Sequence, residues 1–124
     1  MGQLLKVLVV DDEADVRHTT AELLTECGLS VVAAESAMDA LHYLDDHAGE
    51  VAAVFTDVSM AGEIDGADLA HIVAHSWPEI SVIVTSGVCN PSLPDTTHFL
   101  PKPWRFTDVL GRLGAVIPGG PTTH

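Results

Sequence analysis

The sequence predicts an α/β protein: a doubly wound, five-stranded parallel sheet with helices on both faces. Two observations predict it. Short apolar, β-branched runs recur along the chain, and segments with helical spacing of apolar residues lie between them, the alternation that builds parallel sheets through right-handed crossovers. The runs are also continuously apolar rather than alternating, as strands covered on both faces are.

Strands are expected at Lys6–Val10, Ser30–Ala34, Val51–Thr56 and Ile80–Thr85, with Phe99–Leu100 as a shorter fifth. A first helix is expected over Ala14–Cys27, with Val16, Leu23, Leu24 and Cys27 on its inner face and Gly28 closing its C-terminus. Ser36, with Asp39 three residues on, resembles a capping box opening a helix over Ala37–His47 that turns Ala40, Leu41 and Leu44 inward. Ala67–His75 presents Leu69, Ile72 and Val73 and is followed by Pro78. Trp104–Val116 presents Phe106, Val109, Leu110 and Leu113. Between the fourth and fifth strands, Gly87–His98 contains Pro91 and Pro94. A proline inside a helix costs roughly 3 kcal/mol, so the helix expected there is short or replaced by a loop. Residues 1–117 then form one domain, 118–124 a flexible C-terminal tail, and no output domain is expected.

Composition narrows the function. Eighteen Asp and Glu face five Lys and Arg, a net charge of −13. Such a field repels phosphate backbones and argues against direct nucleic-acid binding, while suiting a cation or a basic protein partner. The longest apolar run, Val7–Val10, is too short for membrane insertion, and no secretory signal precedes it. Cys27 and Cys89 have no metal-type spacing and read as reduced thiols, which points to the cytoplasm.

In an open parallel sheet, ligands bind beyond the carboxyl ends of the strands. The first strand ends in Asp11-Asp12, the third in Asp57, the fourth in Thr85-Ser86-Gly87, and the fifth runs into Lys102-Pro103. Taken singly, each has a plain structural reading: a helix cap, a turn aspartate, a serine turn, a solvated lysine. Together they supply what phosphoryl chemistry needs. Converging carboxylates need a cation to offset their repulsion, and hard oxygen ligands favour Mg²⁺, with Mn²⁺ as a substitute. One carboxylate can then act as nucleophile toward a phosphoryl group, with Ser86 and Lys102 as donors to its oxygens.

The stretches KVLVVDDE, VFTDVSM, the Asp65-Gly66 pair, VIVTSG and FLPKPW resemble the receiver domain of two-component response regulators over about residues 4–117. The resemblance implies a flavodoxin-like fold with strand order 2-1-3-4-5. It implies Asp57 as phosphoacceptor, and Mg²⁺ held by Asp12, Asp57 and the Ser59 carbonyl, with Asp11 acting largely through water. Ser86 would be the switch hydroxyl, Lys102 would contact the phosphoryl group next to a cis Pro103, and Phe99 would be the aromatic switch. The partners implied are a sensor histidine kinase or histidine phosphotransfer protein and a downstream protein whose identity the sequence does not supply. Such a chain is not an enzyme acting on a separate substrate. It is a phosphoacceptor that promotes its own phosphorylation and dephosphorylation.

Some positions depart from the family pattern. Trp104 follows the Lys-Pro pair where Phe is more usual, and the loop at Ala61-Gly62 is one residue longer than the commonest form. Val88, two after Ser86, cannot position an attacking water, which implies a long-lived phosphoryl state. Two other functions compete: a pseudo-receiver that docks partners without phosphorylation, and a phosphatase of the haloacid-dehalogenase type. The second needs an Asp two residues after its nucleophile, where Asp57 is followed by Val58 and Ser59. His71 and His75, four apart on one helix, read as surface residues rather than a metal pair.

Overall fold

The computed structural model describes residues 6–60, 62–86, 93–94, 97–101 and 105–116. Five strands form one parallel sheet: β1 (Lys6–Val10), β2 (Ser30–Ala34), β3 (Val51–Asp57), β4 (Ser81–Ser86) and β5 (His98–Pro101). Their order across the sheet is β2-β1-β3-β4-β5, as the resemblance implies. The helices are α1 (Ala14–Glu26), α2 (Ala37–His47), α3 (Gly66–Ser76) and α4 (Phe106–Val116). No described helix is long and apolar enough to cross a membrane.

Between β4 and β5 the described residues Leu93, Pro94 and Thr97 are not helical. Thr97 N–H donates to the Pro94 carbonyl at 3.0 Å. The expectation that no regular helix fills this crossover holds at those positions. Val88 and the rest of that segment lie outside the described residues, as do Trp104 and the tail 118–124.

Alternation along the strands divides the core in two. On one face Leu8, Val10, Val54, Val82 and Val84 pack with Ala40 and Leu44 of α2 and Leu69 and Val73 of α3. On the other, Val7, Val9, Ala53, Phe55 and Ile83 pack with Leu24 of α1 and Val109 and Leu113 of α4. Every inner strand is therefore apolar on both sides, the condition its sequence met. Edge strand β2 is the exception: Ser30 to Val32 are half-buried and Ala33 is exposed.

The face of α1 differs from its expected composition. Leu24 is buried and Cys27 half-buried, but Val16 and Leu23 are 38% and 37% exposed. The buried line instead takes in Thr20. Thr20, Leu24 and Cys27 follow helical spacing. Leu23 lies about 100° from Leu24 around the axis and is exposed.

Helix ends follow local chemistry. Gly28 has φ +91° beyond the end of α1, a conformation that favours glycine. Ser36 Oγ accepts from Asp39 N–H at 3.0 Å. The reciprocal capping box occurs at α3: Asp65 accepts from Asp68 N–H, and the Asp68 carboxylate accepts from Asp65 N–H. It starts α3 one residue earlier than expected.

Candidate functional site

The chain reverses direction across the sheet between β1 and β3, so the carboxyl ends of these strands open onto a topological switch point. Register sets the level of each group there. Val10 pairs with Thr56, and Asp57 pairs with Thr85. Asp11 thus leaves β1 at the level where Asp57 ends β3. Ser86 pairs with Pro101, so the chain leaves β5 beside it. Lys102 and the Lys102–Pro103 peptide lie outside the described residues.

Asp11 and Asp57 are 7% and 6% exposed, and Asp12 is open to solvent beside them. Both buried carboxylates support their own loops. Asp11 Oδ1 accepts from Glu13 N–H at 2.9 Å, leading the chain into α1. Asp57 Oδ1 accepts from Ser59 N–H at 3.1 Å. These are the turn roles that an isolated aspartate would have, and here they hold the side chains of a convergent site. Ser59 is exposed, and Ser86 is buried.

Three further contacts hold the site, and sequence reasoning did not single them out. The Asp11 peptide is clamped from both sides: its N–H donates to the Ala34 carbonyl at 3.2 Å, and its carbonyl accepts from Arg17 Nη1 at 2.9 Å. Only a helix placing Arg17 one turn in would have revealed that bond. Val58 N–H donates to the Thr85 carbonyl at 3.0 Å, tying the end of β3 to β4. Gly66, in sequence only part of a motif, packs its Cα against the Asp57 peptide. A Cβ there would lie 1.9 Å from the Asp57 carbonyl oxygen.

Phe99 is half-buried and packs on the α2/α3 side of the core, in register with Val84. His71 and His75 are both exposed on α3. Among the described residues, no three His, Cys, Asp or Glu side chains are gathered as a metal-ligand set. The expected site asks for fewer: two carboxylates, a backbone carbonyl, and a third carboxylate through water. Two buried carboxylates with an exposed one at their rim suit a hard ion that keeps several waters, as Mg²⁺ does.

Comparisons with known proteins agree with this geometry. The family model of the response regulator receiver domain matches residues 7–112. A response regulator of Rickettsia bellii described as NtrX-like is 34% identical over 85 residues, covering 68% of this chain and 17% of that protein. The sensor kinase CckA of Brucella abortus is 36% identical over 104 residues, covering 79% and 11%. The chain therefore spans less than a fifth of these two relatives. Protein PilG of Pseudomonas aeruginosa is 27% identical over 122 residues, covering 92% and 88%. Among solved structures, the receiver domain from the hybrid histidine kinase CckA superposes with a TM-score of 0.79 at 29% identity, covering 91% of this chain and 99% of that one. A response regulator receiver protein from Pseudomonas putida gives a TM-score of 0.79 at 27% identity, covering 93% and 99%.

Proposed function

The chain belongs to the receiver-domain family of response regulators, and from that premise we propose that it is a single-domain phosphoacceptor switch with Asp57 as the acceptor. The observation that carries this reading is the pairing of Asp57 with the site's other groups at one sheet edge: buried, level with Asp11, and next to the β4 end that bears Ser86.

The donor is a phosphohistidine on a sensor histidine kinase or phosphotransfer protein. A carboxylate oxygen of Asp57 attacks phosphorus, the P–N bond breaks, and the imidazole nitrogen keeps the bonding pair. The product is an acyl phosphate, and attack by water later returns Asp57 and inorganic phosphate. Asp12, Asp57 and the Ser59 carbonyl would hold Mg²⁺ (or Mn²⁺), with Asp11 reaching it through water. When bound, the ion offsets the charge of the carboxylates and of the phosphoryl oxygens. Asp11 orients the acidic loop through its bonds to Glu13, Ala34 and Arg17. Ser86 and Lys102 donate to the phosphoryl oxygens. Phe99, packed against the core but half-exposed, turns inward as Ser86 moves, and a downstream protein reads the altered surface. The reading is of a cytoplasmic switch that acts on its own acyl phosphate and on no separate substrate, without direct contact to nucleic acid. Likeness to PilG over most of that protein's length supports a receiver acting alone.

The test is incubation with Mg²⁺ and acetyl phosphate followed by intact mass. One phosphoryl adduct is expected on the parent protein and none on Asp57→Asn. A parent protein that takes no adduct would return the chain to the docking-module reading.

A further inference from the structure

Two buried hydroxyls have no hydrogen-bond partner among the described residues, those of Thr85 and Thr97. Buried polar atoms are nearly always paired, so each asks for a reason. Thr85 has one nearby. It pairs in register with Asp57, and partners in register on parallel strands project to the same face. The two side chains therefore stand side by side at the carboxyl end of the sheet. Thr85 is 3% exposed, which leaves its hydroxyl little access to solvent. Its other described strand neighbours on that face are apolar, Ile83 two residues back and Leu100 in register on β5. For packing alone, valine would fill the position without a stranded hydroxyl.

We propose that Thr85 is a second phosphoryl-binding hydroxyl, with its O–H held for an oxygen that Asp57 carries only in the phosphorylated state. The inference rests on Asp57 being the phosphoacceptor. Ser86 is one residue further along β4 and so projects to the opposite face. The pair then brackets the group, Ser86 from the α2/α3 side and Thr85 from the α1/α4 side. A phosphoryl group adds three strong acceptor oxygens. An O–H without a partner before the reaction and with one after it contributes a difference between the two states, and only such a difference shifts a conformational equilibrium.

Beryllofluoride, an inert mimic of a phosphoryl group on a carboxylate, reads this directly. In saturating Mg²⁺, Thr85→Val is expected to bind it about tenfold more weakly than the parent, the loss typical of one hydrogen bond to a charged group. Thr85→Ser should restore most of the affinity. The Mg²⁺ dissociation constant should stay within about twofold and the Tm of the unmodified protein should not fall, because the hydroxyl has no partner among the described residues in that state. Thr85→Ala, read the same way against Thr85→Ser, serves if valine packs badly. Equal beryllofluoride affinity in parent and Thr85→Val, or a serine variant no better than valine, overturns the inference while leaving the phosphoacceptor reading intact. A Tm lowered in both the valine and the alanine variants but restored by Thr85→Ser also overturns it, since the hydroxyl would then be paired already. A parent that binds no beryllofluoride and takes no phosphoryl adduct overturns both.

Discussion

Gly66 has no side chain, and the space for one is already filled by the peptide that carries Asp57. The first residue of α3 and Asp57, the proposed phosphoacceptor, are thus in backbone contact, and Gly66 N–H donates to the Val58 carbonyl at 3.0 Å. Gly66→Ala should cost about 1–3 kcal/mol, the usual penalty for overpacking a tight contact, measured by urea unfolding. It should also slow adduct formation from acetyl phosphate, because Asp57 must shift with the strand end. A second pair of residues acts at the far end of the same strands. Lys6 Nζ donates to Glu50 Oε1 at 2.8 Å. That bond lowers the Glu50 pKa below its ordinary 4.5 and, with a lesser bond to the Tyr43 hydroxyl, raises that of Lys6 above 10.5. The depressed carboxylate stabilises the fold above its unfolded pKa, and that contribution is lost as pH falls through the folded value. The raised amine does so below its own unfolded pKa, and loses it as pH rises through the folded value. Glu50→Gln should therefore lower Tm at neutral pH, by a margin that vanishes in acid below the carboxylate range and shrinks in molar salt. Melting curves across pH check it.

At the scale of elements, α1 presents the clearest question. Its inner line is Thr20, Leu24 and Cys27, while Val16 and Leu23 face outward. Leu24→Ala should destabilise by about 2–5 kcal/mol, as deletion of a buried leucine does. Leu23→Ala should stay within about 0.5 kcal/mol of the parent. Equal losses at the two adjacent leucines would mean that the helix is rotated from the orientation described. Strand pairing holds a comparable subtlety. Between Lys6 and Val7 the register of β1 on β3 slips by one residue, passing over Ala52. From Val7 onward the pairing is regular, and it brings Asp11 to the level of Asp57.

For the molecule as a whole, a net charge of −13 on 124 residues makes self-repulsion part of its stability. With three carboxylates at one sheet edge, a divalent ion should act there specifically. Mg²⁺ at a hundred times its dissociation constant should add about 2.7 kcal/mol to folding stability, several degrees of Tm for a domain of this size. Sodium chloride at equal ionic strength should produce a smaller rise. Asp57→Asn should lose most of the Mg²⁺-specific part. An identical response to both salts would mean that the acidic edge holds no divalent ion.

Much of this protein was legible locally. Lys6–Val10, Ser30–Ala34 and Ala37–His47 have the bounds their patterns predict, because apolar periodicity and capping act within one element and need no knowledge of its neighbours. The residue types at the strand ends, Asp11, Asp12, Asp57 and Ser86, carry their chemistry in their identity. Lateral relations were not legible, because they depend on register and on how each helix rolls against the sheet. Val16 and Leu23 look like core by spacing and lie outside it. Gly66 and Arg17 gain their meaning from contact with Asp57 and Asp11 across a turn. Thr85 is one more apolar-flanked threonine until β4 is set beside β3, when it becomes the neighbour of Asp57. The sequence by itself determined which candidate groups end the strands. Tertiary structure decided which of them stand side by side, since hydrogen-bonded register, not spacing along the chain, sets distance across a sheet.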